Sequence, residues 1–363
     1  MKKRCTTLLL LTLLVALLFF QPPLALAQTT QRVLEVKQNI AAMVSEGKSK
    51  SVQKVLVLNF DPVFPVAKKK RMHDLMSAWN DPKALSKQYI KAMKGSSHGN
   101  ALYEIAEWID LDEMPQADNG RKYNIDEYYT TLKKAQKQWN YWGYSGWQSF
   151  GTFDYEYYMS RFNVYQRVES GEIDEVWVFT GPCVGTMAYE TIMIGRGAYW
   201  CNGPEMVRED CPAFVCYVFN YERDVGCMLE DAGHRFESIM AYELGWDTSK
   251  PISQMNDWEL FTLYDKIAPG KAACGNVHFA PNSDSDYDWG NRSKVYSSWK
   301  DWANNYPNLK GEKKMVSAAY WGNGDTVAHH KWWFSCIPHM KGVNETSGAY
   351  NNWWIYFNYP IRE

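Results

Sequence analysis

Along this chain the apolar positions change period several times, and each change marks an element. After an unbroken apolar opening, "QRVLEVKQNIAAMVSEGKSK" carries helical spacing with a polar exit and is expected to form a peripheral amphipathic helix. "VQKVLVLNFDPVFP" is an apolar, β-branched run that ends at Asn59, Phe60 and Asp61 before two prolines, the pattern of a buried strand. "NDPKALSKQYIKAM" supplies an Asn/Asp cap, a proline in the first turn and helically spaced Leu85, Tyr89 and Ile90. "ALYEIAEWIDLDEMP" alternates like a strand, and "NIDEYYTTLKKAQKQW" and "DYEYYMSRFNVYQRVESGEID" are helical. "EVWVFTGP" reads as a strand stopped by Thr180, Gly181 and Pro182. The strand "AFVCYVFNYER" then feeds the helix "DVGCMLEDAGHRFESIMAYEL".

Strands alternating with helices imply an α/β fold with a largely parallel sheet and helices on both faces. From about residue 245 the periodicity fades into a long loop-rich, aromatic-rich C-terminal portion, where Gly, Asn, Pro, Trp and Asp crowd "PGKAACGNVHFAPNSDSDYDWGNRSKVYSSW". Long loops in compact proteins tend to carry function. With no internal repeat or Pro/Ser linker in view, the expected organisation is a leader at 1–27, a peripheral N-terminal helix at 28–50 and one α/β domain at 51–363.

The leader reading rests on a basic start, an apolar run and the small-residue exit Ala25-Leu26-Ala27, the pattern of a secretory signal peptide. It predicts a secreted chain with no membrane segment after cleavage. Its removal takes away Lys2, Lys3 and Arg4 and no acid, so 39 basic residues become 36 against 41 acidic, a net charge near −5. Nucleic-acid binding, which calls for a clustered basic excess, is not expected. Seven of the eight cysteines remain, some expected in disulfides, with Cys201 and Cys211 placed to close a short loop. "TGPCVGT" lacks the Gly-Lys-Ser/Thr ending of a phosphate-binding loop, and no nucleotide cofactor is expected.

Tryptophan (17) and tyrosine (24) are abundant, and their flat faces suit both large cores and stacking on sugars. In "QWNYWGYSGWQSF" turn-forming and polar residues surround the rings, so Trp142 and Trp147 are candidate substrate contacts, as is Trp289. Ligands of open α/β sheets bind beyond the carboxyl ends of the strands, which adds Asp61, Glu222 and Arg223.

The helix after the last strand carries the sharpest signal. Glu230, His234 and Glu237 follow one another at i, i+4 and i+7 on one face, away from the apolar band of Leu229, Ala232, Phe236, Ile239 and Met240. The pair His234-x-x-Glu237 resembles, in those two residues alone, the two-ligand fragment of zinc carboxypeptidases. That resemblance implies zinc held by His234, Glu237 and a third ligand, with His278 the first candidate and His329 or His330 the others. Gly233 beside His234 leaves room for another segment to approach the helix. Alternating Asp284, Asp286 and Asp288 suggest a calcium-binding loop, although Trp289 stands where an EF-hand would have its turn glycine. Without a metal, Glu222 and Glu237 with His234 would be the catalytic groups of a glycosidase, Arg223 lowering the pKa of one carboxyl. The expected function is a secreted hydrolase of an extracellular polymer, most plausibly a polysaccharide or cell-wall glycan. The alternatives are a zinc-dependent amidase or peptidase, and a non-catalytic glycan-binding protein.

Overall fold

A computed structural model describes residues 24–64, 70–75, 79–122, 124–137, 151–183 and 189–360. Trp142, Trp147 and most of the leader lie outside the described residues. The first element, α1 (Leu24–Glu46), starts inside the stretch read as the leader. One stripe of α1, formed by Val36, Ile40, Met43 and Val44, packs on the core, and Arg32 pairs with Asp174 at 2.5 Å. Among the described residues no helix is long and apolar enough to cross a membrane.

Six strands build the main sheet: β1 (Gln53–Phe60), β2 (Tyr103–Leu111), β3 (Glu175–Thr180), β4 (Thr191–Arg196), β5 (Met206–Pro212) and β6 (Phe214–Asn220). Their order is β2-β1-β3-β6-β4-β5, with β2, β1, β3 and β6 mutually parallel. β4 runs antiparallel to β6, and β5 runs parallel to β4. The sheet is therefore mixed and mostly parallel.

Nearly continuous apolar strands need cover on both faces, because consecutive side chains point to opposite sides. Val55, Val57, Trp177, Phe179, Val215, Tyr217 and Phe219 belong to one core, and Leu56, Leu58, Val176, Val178, Cys216 and Val218 to the other. The second is covered by α4 (Tyr155–Arg161) and α5 (Val164–Glu169). The first lies under α2 (Pro82–Ser96), α3 (Ile125–Lys137) and α6 (Val225–Leu244). Cys201 and Cys211, expected as a possible pair, belong to the cores of opposite faces, and Cys201, Cys211, Cys216, Cys227, Cys274 and Cys336 are free thiols.

Beyond α6 the chain forms short helices α7 (Asp257–Phe261), α8 (Trp299–Asn305), α9 (Thr326–Cys336) and α10 (Trp354–Asn358) joined by long loops. Most of the tryptophans here are core. Trp258, Trp321, Trp333, Trp353 and Trp354 are fully buried, and Phe236 of α6 meets the rings of Trp258, Trp333, Trp354 and Phe357. The aromatic-rich portion is thus a second layer that seals α6 from outside, adding large apolar burial per residue.

Helix α6 is consequently the central element. Asp224 caps it by accepting a hydrogen bond from the Gly226 amide, and Gly245, at φ 84°, ends it. Its sheet side is pinned by Arg235, buried against Glu175 of β3 and donating to the carbonyl oxygen of Phe357 at 2.7 Å. A buried charge without these partners would be strongly unfavourable, so the rotation of α6 about its axis is fixed. That rotation turns Glu230, His234 and Glu237 away from the sheet.

Candidate metal centre

The loop that follows α7 comes down on the outward face of α6. Gly275, at φ 69°, makes a turn so tight that a Cβ there would stand 1.9 Å from the carbonyl oxygen of Phe279. Val277 then packs over Gly233, where a Cβ would lie 2.4 Å from Val277 Cγ2. The room that Gly233 leaves is taken by this segment, and the next residue is His278. The amide of Val277 donates to Glu237 Oε1 at 2.9 Å, which locks the loop to the helix.

Four polar tips converge there. His278 Nε2 stands 3.2 Å from His234 Nε2 and 3.3 Å from Glu230 Oε1. The Tyr287 hydroxyl donates to Glu230 Oε1 at 2.6 Å and lies 3.0 Å from His278 Nε2. Both imidazoles are backed by carboxylates on their other nitrogens: His234 Nδ1 by Glu237 Oε2 at 3.2 Å, and His278 Nδ1 by Asp286 Oδ1 at 2.9 Å. A carboxylate behind Nδ1 places the ring proton there and turns Nε2 into an acceptor. Two Nε2 lone pairs and the Glu230 carboxylate then face one another, an arrangement able to take a cation between them. Among the described residues, Glu230, His234 and His278 are the group whose ligand atoms gather within 4.8 Å, and this group is able to hold a metal ion.

The electrostatics agree. Burial works to raise the pKa of Glu230, but the close contacts of its carboxylate with His278 and with the Tyr287 hydroxyl outweigh it and bring it down to about 2. Burial works to lower that of His234, and Glu237, helped by Glu190 and Glu230, raises it instead. Behind the cluster, α9 presents two buried imidazoles. Among the described residues neither ring nitrogen of His329 has a hydrogen-bond partner, and burial drives its pKa well below the usual range. His330 is held near 4 by burial, close enough to Glu230, His234 and His278 to feel their charge. Outside, a groove of about 540 Å³ runs past His234 and Glu237. It is flanked by Trp200, Tyr242 and Trp246, which are 57%, 61% and 37% exposed, and Tyr199 stacks on Tyr242 at 3.7 Å.

Of the sequence-predicted residues, His234 and His278 come together. Glu230, rather than the expected Glu237, joins His234 and His278 in the group able to hold a metal ion, and Glu237 stands behind His234 at Nδ1. Asp284, Asp286 and Asp288 do not converge on a common point. Asn291 donates to Asp284 and Asp288, the Asp284 amide also donates to Asp288, and Asp286 serves His278. Trp289 is buried, stacked on His329 at 4.5 Å, with its Nε1 donating to the His278 carbonyl oxygen, so it walls the cluster from within.

The strand-end residues stand elsewhere. Asp61 is buried and binds His73 through the backbone amide at 3.0 Å and through Nδ1 at 2.6 Å. Glu222 and Arg223 precede the first turn of α6, so about 18 Å of helix axis separates that turn from Glu237. Burial raises the pKa of Glu222 and outweighs the lowering that Arg223 exerts on it. Tyr287 and the groove rings Trp200, Tyr242 and Trp246 were not singled out. Their spacing carries no periodic signal, and only the αL backbone of Tyr287 sets it apart. No family model matches the chain, and neither a curated protein nor a solved structure matches it.

Proposed function

We propose that this chain is a divalent-metal-dependent hydrolase of an extracellular polymer, with zinc held by Glu230, His234 and His278. The observation that carries the reading is the pair of imidazoles whose Nε2 atoms meet at 3.2 Å while each Nδ1 is backed by a carboxylate. Ligands placed about 2.0–2.1 Å from a tetrahedral zinc stand about 3.3–3.4 Å from one another. The separations of 3.2 and 3.3 Å around His278 Nε2 fit that spacing. Two imidazoles and one carboxylate suit zinc, and a remaining position for water would give the nucleophile of an amide or ester hydrolysis. Glu237 and Asp286 would fix the tautomers and raise the basicity of the ligands.

This reading favours the metal-dependent alternative over the two-carboxylate glycosidase, because Glu222 and Glu237 do not face a common bond. The exposed rings beside His234 support a glycan-bearing polymer as substrate, since aromatic faces flanked by polar groups suit sugar rings. They equally favour the second reading, a secreted glycan-binding protein with a structural metal. The two separate in one experiment. Zinc content of the purified protein is measured, followed by turnover on a panel of polysaccharides, peptidoglycan fragments and peptides. The hydrolase reading expects about one zinc per chain, activity abolished by chelation and restored by zinc, and loss of both in His234→Ala. Stoichiometric zinc with glycan binding but no turnover supports the second reading, and absence of bound metal removes the first.

A further inference from the structure

We infer that Tyr287 is a fourth protein ligand of this centre, its phenolate oxygen joining Glu230, His234 and His278 on the ion. The inference rests on the metal reading above and goes beyond the three-residue group. It stands on the backbone, the placement of the hydroxyl and the ring's exposure.

Tyr287 adopts φ 57°, a left-handed conformation that a bulky side chain rarely takes. Strain of this kind persists where the surroundings over-determine it. Here they do. The Tyr287 amide donates to the His278 carbonyl oxygen at 3.1 Å, and Trp289 Nε1 donates to the same oxygen at 3.1 Å. The loop is thereby folded back so that the Tyr287 ring lies over the His278 ring, with centroids 4.4 Å apart.

The ring itself is not core, since the residue is 49% exposed. Solvation gives it no reason to turn its polar end inward, yet the hydroxyl sits 2.6 Å from Glu230 Oε1 and 3.0 Å from His278 Nε2. With His278 and His234 at 3.2 Å and His278 and Glu230 at 3.3 Å, two pairs stand at ligand-to-ligand spacing, and the phenol oxygen, drawn closer by its hydrogen bond to Glu230, is a fourth donor atom gathered at the same point. A phenol that only braced Glu230 would not also need to meet the acceptor nitrogen of His278.

Without a cation the phenol keeps its proton: burial and the neighbouring Glu230 carboxylate both push its pKa upward. On metal binding the O–H bond breaks, the metal–oxygen bond forms and one proton leaves to solvent. Zinc can expand to five ligands, so four protein ligands would still leave it able to take a water.

Copper(II) makes the test direct, because a copper-bound phenolate has a visible charge-transfer band that imidazole and carboxylate ligands lack. Purified protein is loaded with one equivalent of copper(II), and metal stoichiometry and the visible spectrum are recorded for the wild type and Tyr287→Phe. The expected result is one copper per chain in both, a band in the wild type, its loss in Tyr287→Phe, and zinc affinity at least tenfold weaker in the variant. Copper bound by the wild type with no such band, or a band that survives in Tyr287→Phe, overturns the role of Tyr287 and leaves the three-residue centre standing. Failure of the wild type to hold either copper or zinc overturns both. The wild-type spectrum decides the matter even if the variant folds poorly.

Discussion

At the scale of single residues the proposed centre sets protons and metal in competition for one pair of imidazoles. Burial would lower the pKa of His234, but Glu237, Glu190 and Glu230 raise it above its ordinary 6.5. In the metal-free protein the folded state therefore binds this proton more tightly than the unfolded chain does. The stabilisation is complete below pH 6.5 and is lost as pH rises through the raised folded value. With zinc present the sign reverses, because the ligand must be neutral and affinity grows as the proton leaves. We predict that between pH 6 and 8 the melting temperature of chelator-treated protein falls with pH while that of zinc-saturated protein rises. His73, which Asp61 also raises, contributes to the first slope, so the comparison is made against Glu237→Gln, which should flatten the His234 part alone. Parallel slopes with and without zinc would show that His234 is not a ligand.

At the scale of elements, the question is why a loop without periodicity reaches the right place. Helix α6 was legible because its apolar band and its Asp224 cap follow helical rules, and its outward face named His234 in advance. The partner was legible only as one of several histidines, because the loop is set by Gly275, Val277 and the Glu237 bond to a backbone amide, none of which has a period. Grouping Glu237 rather than Glu230 with the two histidines followed from reading the face without the loop that divides it. Gly233 is the joint between the two elements and gives a sharp prediction. Glycine to alanine in an exposed helix interior stabilises by about 1 kcal/mol. At Gly233 the new methyl would stand 2.4 Å from Val277, which is fully buried and has nowhere to move, and overpacking of this kind costs about 1–3 kcal/mol. Gly233→Ala should lower the melting temperature and weaken zinc binding by displacing His278, and Gly233→Ala with Val277→Ala should recover part of both. A melting temperature that rises in the single variant would mean the loop does not press on the helix as described.

For the molecule as a whole, the sheet and the centre are separate structures joined through one helix. The alternation of strands and helices made the mostly parallel sheet readable, and the rule that ligands gather at strand ends directed attention to Asp61 and Glu222. The buried network at that edge joins Asp61, His73 and Arg71, whose guanidinium donates to the Asp61 carbonyl oxygen at 2.8 Å. The aromatic C-terminal layer was legible as composition but not as position, since a tryptophan in a core and one on a groove have the same neighbours in sequence. Trp289 went inside, whereas Trp200 and Trp246 stayed out. This separation predicts that damage at the two places has different consequences. Asp61→Ala removes the nearer counter-charge of the part-buried His73 and leaves it only the exposed Asp74 at 3.4 Å, and losing such a hydrogen bond to a charged group costs about 1.5–3 kcal/mol. Because His73 is raised by its bond to Asp61, that loss should be larger at pH 6 than at pH 8. Zinc affinity of the remaining folded protein should change by less than about twofold, as energetic effects of distant, unshared sites add independently. His278→Ala should do the reverse, abolishing stoichiometric zinc while leaving the metal-free melting temperature nearly unchanged, because its ring is partly exposed and fills no core. Zinc titrations by calorimetry paired with thermal melts of the two variants measure both quantities, and a zinc site lost in Asp61→Ala would place the strand ends within the centre after all.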